Sequence, residues 1–296
     1  MAYGSPGSME EVKDYYTNIR NGVPPDTDHL KTLENKYKAI GGVSPLLRTT
    51  MQQAHLLEEK LNSTPGSNFK VYVGMRHWRP FIHDAVKKAV ESRANKFIAL
   101  SLAPHYSEMT IGAYNKAAED ALKASGQEAN AVYSKGWGSN HAFIEALAEK
   151  TSQALIRHKM KNPKILFTAH SLPEKILEYG DPYPTELKKT CMLLAERLGT
   201  KDWEFAYQSA GSTKDKWLGP DVLESLKALQ ALGRDEVMIV PIGFATDNLE
   251  TLYDIDIEAR HFAGSIGIKL ERAECPNTSP TLINALEEVC NNILGR

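Results

Sequence analysis

Short apolar runs alternate with helical patterns along most of the chain, and this alternation limits the fold more than any other feature. The runs are continuously apolar, which is typical of strands buried on both faces. They cover residues 69–75, 96–103, 131–133, 164–170, 203–209, 236–244 and 267–272. The helical patterns cover residues 80–92, 112–124, 140–159, 184–198, 220–232, 248–261 and 281–294. The alternation predicts an α/β fold with mainly parallel sheets and right-handed crossovers.

The predicted strands fall into two groups on either side of residues 159–163. Two doubly wound lobes with a cleft between them fit this grouping better than one wide sheet. We expect an N-terminal lobe over residues 1–158, a C-terminal lobe over 159–280, and a last helix within 281–296 that packs back on a lobe. Residues 20–45 are helical and polar, with proline and glycine breaks, and predict a lid-like insertion in the first lobe.

The charge balance and the longest apolar runs exclude two broad classes of protein. The 296 residues include 35 Lys and Arg against 37 Asp and Glu, a net charge of −2, which argues against nucleic-acid binding through overall charge. The apolar runs are far shorter than a membrane span. The first residues also lack the charged start and apolar core of a signal peptide. These features predict a cytoplasmic protein with no membrane span and no nucleic-acid partner.

The cysteines and the glycine patterns predict no tightly bound cofactor. Cys191, Cys275 and Cys290 are too few and too scattered for a disulfide framework. A four-thiolate iron–sulfur cluster would lack one ligand within the chain, so no such cluster is expected. The chain has neither a GxGxxG after a strand nor a GxxxxGK[ST] loop, which argues against a nucleotide.

His170 is the first candidate for chemistry. An apolar run leads directly into it, and catalytic groups of α/β folds lie at such carboxyl ends of strands. Its ordinary pKa of about 6.5 allows it to accept a proton or bind a metal near neutral pH. The alternative is a hydrogen-bonded histidine at a strand end with no catalytic role.

Three carboxylates follow the next candidate strand end. Glu250, Asp254 and Glu258 are spaced at i, i+4 and i+8, which places them on one face of a predicted helix, whereas Asp256 lies off that face. Because like charges at this spacing repel, such a row requires solvent, a cation or a shifted pKa. If the row faces the cleft, divalent cations are the natural binding partners of these carboxylates. A solvated acidic face is the alternative.

A third group combines cations, hydroxyls and aromatic rings. Arginine and lysine beside aromatic rings can hold a flat ligand with several carboxylates, through paired hydrogen bonds and stacking. Each residue taken alone is more often ordinary surface or core. The group consists of Tyr3, Arg20, Lys36, Tyr37, Ser44, Arg76, His77, Trp78 and Tyr114.

A set of short motifs, spread over the whole chain, resembles the ferrochelatase family in order and spacing. The motifs are Met1-Ala2-Tyr3-Gly4-Ser5-Pro6, Gly41-Gly42-Val43-Ser44-Pro45, Leu102-Ala103-Pro104-His105-Tyr106-Ser107, Thr168-Ala169-His170-Ser171-Leu172-Pro173, Gly180-Asp181-Pro182-Tyr183-Pro184, Gln208-Ser209-Ala210-Gly211, Trp217-Leu218-Gly219-Pro220-Asp221, and Pro241-Ile242-Gly243-Phe244 with Glu250. A single motif would be weak, but the set is highly specific.

The resemblance implies two Rossmann-like lobes without a nucleotide and a porphyrin cleft between them. It also implies insertion of ferrous iron into a porphyrin during haem biosynthesis, with release of two protons, so that Fe²⁺ is a substrate. His170 and Glu250 would then contact the iron or take the pyrrole protons. Asp254 and Glu258 match the metal-delivery or proton-exit path of the family. Transient contact with neighbouring enzymes of the haem pathway is a further expectation.

The wording of the motifs favours coproporphyrin III as the substrate. Tyr3 resembles the tyrosine that reaches the product iron from the opposite face in coproporphyrin ferrochelatases of Gram-positive bacteria. Arg20, Lys36, Tyr37, Ser44 and Tyr114 match positions that contact the propionates or the ring in that branch. Arg76 is a further porphyrin-binding candidate, although Arg76-His77-Trp78 reads closer to the protoporphyrin-type enzymes. A protoporphyrin IX ferrochelatase that makes protohaem is therefore the first alternative.

Two other classes stay open. A cobalt or nickel chelatase acting on a corrin precursor would share the fold. A non-catalytic haem-binding protein would keep the pocket, but it would need neither a proton acceptor nor the row of carboxylates.

The first motif raises a hypothesis about the N-terminus. In the family this motif follows a first strand, and the residues that would form that strand are not in the sequence. A strand at this position is expected to be central, so its loss would leave backbone groups of its neighbours unpaired. We therefore expect a chain shortened at its N-terminus.

Overall fold

A computed structural model of the chain describes residues 1–211 and 215–295. In this part of the chain, all strand pairs are parallel, in a two-stranded sheet β1-β2 and a four-stranded sheet of order β4-β3-β5-β6. The strands are β1 (Phe97–Ala99), β2 (Ala131–Tyr133), β3 (Lys164–His170), β4 (Trp203–Gln208), β5 (Glu236–Pro241) and β6 (Lys269–Arg272). The predicted α/β class with mainly parallel sheets is confirmed.

Helices connect the strands, and most of them lie where the periodicity predicts. They are α1 (Val12–Ile19), α2 (Thr27–Ala39), α3 (Leu46–Asn62), α4 (Ile82–Glu91), α5 (Ala113–Ala124), α6 (His141–Arg157), α7 (Tyr183–Leu198), α8 (Val222–Ala231), α9 (Arg260–Ser265) and α10 (Pro280–Leu294). The predicted helix 248–261 differs, because Glu250–Ala259 winds as a π-helix, a rare form that concentrates at functional sites. We call this segment the acidic π-helix.

The four-stranded sheet is buried on both faces, as its continuous apolar runs predict. On one face Ile165, Phe167 and Ala169 of β3 share a core with α6, α7 and α10. On the other face Leu166 shares a core with α8, α9 and the acidic π-helix. Each fully buried aliphatic or aromatic side chain contributes roughly 1.5–3 kcal/mol to folding, so this sheet is a rigid support for its loops.

Residues 69–75 differ from the prediction, because they form no strand ladder. Only Met75 makes isolated parallel bridges, to Ala2 and Phe81. A cavity of about 740 Å³ is lined by Phe69–Gly74, by Phe97–Leu100 and by Met1. An apolar run becomes a strand only where another backbone pairs with it, and here the cavity lies alongside the run. Neither His170 nor Glu250 lines this cavity.

The first two residues link the segments on either side of this cavity. The Met1 ammonium donates to the carbonyl of Leu100 at 2.6 Å, and the amide of Leu102 donates to the Met1 carbonyl at 2.9 Å. The Ala2 amide donates to Gly74 at 3.1 Å. Burial lowers the pKa of the Met1 ammonium to about 5. The hypothesis of a missing first strand stays a prediction.

The limits of the two lobes, the insertion and the final helix stay predictions as well. Helix α2 occupies much of the polar segment 20–45, and its N-cap Asp26 accepts a hydrogen bond from His29. Helix α10 packs against α3 and α6, whereas Arg296 lies outside the described residues. Over residues 1–211 and 215–295, the structure has no helix of the length and apolar character that a membrane span requires.

The loop after β5 approaches β3 closely, and this contact generates a first prediction. A Cβ added to Gly243 would lie 2.8 Å from the Ala169 Cβ, next to His170. We expect Gly243→Ala to lower the free energy of unfolding by about 1–3 kcal/mol, because a packed strand end must shift. Urea denaturation measures this change.

The matched control is Gly264→Ala in α9, whose added Cβ meets no atom within 4 Å. This variant should be neutral or up to about 1 kcal/mol more stable, since alanine favours helix. Equal stability of the Gly243→Ala variant and the unsubstituted chain would contradict the close approach.

Candidate active site

His170 is the last residue of β3, and hydrogen bonds hold both its ring and its backbone. Its Nδ1 is within hydrogen-bond distance of the Ser171 carbonyl, an acceptor, so Nδ1 carries the proton of the neutral ring. The lone pair of a neutral His170 therefore lies on Nε2. The Tyr183 hydroxyl donates to the His170 carbonyl at 2.9 Å. This arrangement leaves Nε2 available to accept a proton or bind a metal.

Glu250 begins the acidic π-helix and faces that nitrogen. Its Oε1 lies 3.5 Å from His170 Nε2, and both side chains are about one-third exposed, at 33% and 32%. Burial alone would lower the pKa of His170, but the attraction of Glu250, its hydrogen bond and the Ser171 carbonyl together raise that pKa above the ordinary value. The structure thus brings together the two residues on which the sequence places the chemistry.

Three of the predicted aromatic residues lie within electrostatic reach of this pair. Burial raises the pKa of the Tyr3, Tyr37 and Tyr114 phenols, and the negative charge of Glu250 raises each of them further. The phenols therefore remain protonated at neutral pH. Tyr37 and Tyr114 are buried, whereas Tyr3 is exposed. The cation of Arg76 acts in the opposite direction on Tyr3 and Tyr114, which places this exposed arginine beside the same group.

Tyr3 is held by the segment that contains Arg76. The His77 amide donates to the Tyr3 carbonyl at 2.8 Å, and the two rings lie 4.5 Å apart. Burial and the nearby Arg76 lower the pKa of His77 to about 4, so its ring is neutral at pH 7. Tyr3 is 42% exposed as a residue, so part of its surface is open to a ligand.

Lys36 of α2 contacts the acidic π-helix directly. Its Nζ lies 2.7 Å from Asp254 Oδ1 and 4.8 Å from the centre of the Tyr253 ring. The Ser209 hydroxyl donates to Asp254 Oδ2 at 2.5 Å. Burial alone would lower the pKa of Lys36, but Asp254 outweighs it and raises that pKa. The middle carboxylate of the predicted row is therefore already bound by a cation and a hydroxyl.

The other predicted residues have partners other than His170 and Glu250. Glu258 is exposed and adds to the negative charge near Lys36. Ser44 is buried and accepts a hydrogen bond from the Leu46 amide, and exposed Arg20 lies over the Tyr16 ring at 5.9 Å. Within the described residues, no three His, Cys, Asp or Glu side chains form a metal-binding group. The roles of Asp254 and Glu258 in metal delivery stay predictions.

Two residues of the site were not singled out from the sequence, Tyr183 and Ser209. Tyr183 fixes the His170 backbone, and its own amide donates to Asp181 at 3.0 Å. Ser209 follows β4 with a φ of 59° and reaches Asp254. Both lie within quoted motifs, so the motifs contained the signal, whereas spacing and residue type did not.

A family model described as Ferrochelatase matches residues 1–294 of the chain. A protein named ferrochelatase from Herpetosiphon aurantiacus is 39% identical over 98% of this chain and 96% of its own length. A protein named coproporphyrin III ferrochelatase from Bacillus subtilis is 39% identical over 100% of this chain and 97% of its own length. Both relatives therefore align over nearly their whole length.

A solved structure of SirB from Bacillus subtilis with Fe³⁺ superposes with a TM-score of 0.57. The match covers 82% of this chain and 88% of SirB, at 10% sequence identity. An identity this low shows a shared fold, here that of a two-lobed chelatase.

The His170–Glu250 pair predicts how stability depends on pH. A histidine whose folded-state pKa is raised contributes stability that is fully present below its unfolded-state pKa of about 6.5 and is lost as the pH rises through the folded-state pKa. We therefore expect the unsubstituted chain to be more stable than Glu250→Gln on the acid side and equally stable at alkaline pH. Urea denaturation over a pH series measures the difference, and a constant difference would contradict the pairing.

The contact between Lys36 and Asp254 predicts energetic coupling. In a double-mutant cycle of Lys36→Met and Asp254→Asn, we expect an interaction free energy of roughly 0.5–2 kcal/mol, because the two groups are mostly buried. Urea denaturation measures it. The matched control is the exposed Lys38–Glu34 pair on the same helix, at 4.0 Å, for which about 0–0.5 kcal/mol is expected. Additive effects of the first two substitutions would argue against the contact.

Proposed function

The chain belongs to the ferrochelatase family, and we propose that it inserts ferrous iron into coproporphyrin III. The observation that carries this proposal is the His170–Glu250 pair, in which Nε2 of the ring faces a carboxylate oxygen at 3.5 Å. Metal insertion must remove two pyrrole protons from the porphyrin. The pair supplies two acceptors of different chemical type at one place, which suits proton removal near neutral pH.

Each step of the proposed reaction balances without an electron acceptor. Two porphyrin N–H bonds break, iron forms bonds to the ring nitrogens and stays ferrous, and two protons leave. His170 takes a proton at Nε2, because its Nδ1 is held by the Ser171 carbonyl. Glu250 stabilises the resulting imidazolium and takes part in removing the second proton. Tyr3 would bind the product iron through its phenol oxygen, and the phenol proton would then leave to water as a third proton, beyond the two from the pyrroles.

The preference for coproporphyrin rests on the carboxylates of the substrate. The Bacillus subtilis relative is named for coproporphyrin III, which has four propionates where protoporphyrin has two. More carboxylates require more cationic and hydroxyl partners. Arg76 near the phenols, together with Arg20, Lys36, Tyr37, Ser44 and Tyr114, is the group that we propose to bind the ring and its propionates.

We also place this enzyme in the cytoplasm. Cys191, Cys275 and Cys290 are free buried thiols, and unpaired cysteines are usual in a reducing compartment. Contacts with other enzymes of the haem pathway stay a prediction.

An anaerobic insertion assay tests the proposed function. Fe²⁺ is offered with coproporphyrin III and with protoporphyrin IX side by side, and the product is followed by its absorbance. We expect faster insertion into coproporphyrin III. Faster insertion into protoporphyrin IX would favour the alternative substrate, and a preference for Co²⁺ with sirohydrochlorin would overturn the proposal.

Two variants test the pair within the same assay. His170→Ala should abolish insertion while porphyrin still binds, as measured by fluorescence titration. Glu250→Gln should lower the rate by about 10²-fold or more, because it removes an acid–base group and leaves the binding surface in place. The control is His158→Ala, since His158 forms a similar pair with Glu271 at 3.1 Å outside the site. Normal insertion by His170→Ala would refute the assigned role.

A further inference from the structure

Arg272 is a buried arginine that binds two carboxylates at once. It is the last residue of β6, and its side chain is only 5% exposed. Its Nε and Nη2 donate to the two oxygens of Asp256 at 2.9 and 2.7 Å, and its Nη1 donates to Asp247 Oδ1 at 2.7 Å. A guanidinium with bonds in this forked geometry fixes the orientation of its partners as well as their distance.

The two carboxylates lie on either side of Glu250 in the chain. Asp247 precedes Glu250 by three residues, and Asp256 follows it by six. Asp254 and Asp256 also bind different cations, since Asp254 contacts Lys36 and Asp256 contacts Arg272. Arg272 thus holds the acidic π-helix from a different side than Lys36 and binds the chain both before and after Glu250.

Asp247 also forms hydrogen bonds with the segment that follows β6. Asp247 Oδ2 accepts from the Asn277 side chain at 2.7 Å, and the Asp247 amide donates back to Asn277 Oδ1 at 2.9 Å. Asp247 Oδ1 also accepts from the Cys275 amide at 3.2 Å. The loop that leads into Glu250 is therefore tied to the segment after β6 by side-chain and backbone groups together.

The winding of the acidic π-helix determines how the anchoring of Asp256 affects the direction of the Glu250 side chain. In any helix the direction of one side chain relative to another depends on the number of residues per turn. Because Asp256 is held on Arg272, the winding between residues 250 and 256 decides whether Glu250 points at His170. Arg272 itself touches neither residue of the pair in the contacts of the described chain.

We infer that Arg272 is a positioning residue, which holds Glu250 opposite His170 by binding Asp247 and Asp256. The inference rests on the proposed function only for the role of the pair in iron insertion. The placement of Glu250 is a property of the chain without substrate, and it can be measured without turnover.

The test is the pKa of His170, measured by NMR on the full chain without porphyrin or iron, in the unsubstituted protein, Arg272→Met, Arg272→Lys and Glu250→Gln. Loss of a positive charge alone would raise the pKa of a nearby histidine, whereas loss of the Glu250 partner lowers it. We expect Arg272→Met to lower the His170 pKa towards the value in Glu250→Gln. Of the two direct consequences of losing Arg272, loss of its charge and displacement of the Glu250 carboxylate, only the second lowers the His170 pKa.

Arg272→Lys keeps the charge and removes the forked geometry, so its effect is free of any change in net charge. We expect the His170 pKa to fall in Arg272→Lys as well, by less than in Arg272→Met. This variant decides the question if Arg272→Met does not fold. A His170 pKa unchanged or raised in Arg272→Lys would overturn the inference, even if urea denaturation shows a loss of stability.

The matched control is Arg260→Met. Arg260 is exposed and binds Glu271 at 3.1 Å, whereas it lies 3.7 Å from Asp256 Oδ1 and has no contact with Asp247 among the described ion pairs. Its substitution should leave the His170 pKa unchanged, and a fall equal to that in Arg272→Met would overturn the specific role of Arg272.

In the insertion assay, Arg272→Lys should lower kcat about tenfold or more and change KM for the porphyrin by less than about twofold, as expected for a misplaced catalytic group. If the unsubstituted chain inserts no iron, the proposed function fails, while the His170 pKa still decides the role of Arg272. A normal kcat in a folded Arg272→Lys would count against the inference.

Discussion

The parallel pairing of β3 with β4 on one side and with β5 on the other determines where the polar groups of the site lie. Parallel strands deliver their carboxyl ends to one edge of a sheet, where ligands of α/β folds bind. His170 therefore leaves β3 opposite Gln208, and the chain after β5 turns past Ala169 through Gly243. The acidic π-helix can approach His170 because this turn has no side chain in the way.

The sequence predicted the strands of the C-terminal sheet well, because a strand that is buried on both faces is a continuous run of apolar residues. The run 164–170 is β3 to the residue, and β4 ends one residue before its prediction. Residues 69–75 read as an equally good strand and form no ladder. An apolar run reports that a segment is buried, and it contains no information about whether a pairing partner lies alongside. The π-helical winding of Glu250–Ala259 could not be predicted from the sequence either, because the residues that anchor this segment are distant from it in the sequence.

The candidate site, too, was predictable from the sequence only in part. His170 and Glu250 each follow a predicted strand end, so topology and motif together brought them into one place. The partners of the other carboxylates could not be read from spacing, because Lys36 and Asp254 are 218 positions apart. The spacing predicted three carboxylates on one face of a helix, with no partner specified for any of them. In the structure, Asp254 instead binds the Lys36 ammonium and the Ser209 hydroxyl, and Glu258 is exposed.

The cation beside each carboxylate then decides which of them can take part in proton transfer. Asp254 is bound by lysine and Asp256 by arginine, and both of these cations keep their charge at neutral pH. Glu250 is bound by histidine, the cation that gains and loses its proton in the physiological range. Among the carboxylates of the acidic π-helix, Glu250 is the one whose ion pair can form and dissolve as protons arrive and leave. The chemistry of the acidic π-helix is therefore localised by the choice of cation, since the carboxylates themselves are alike.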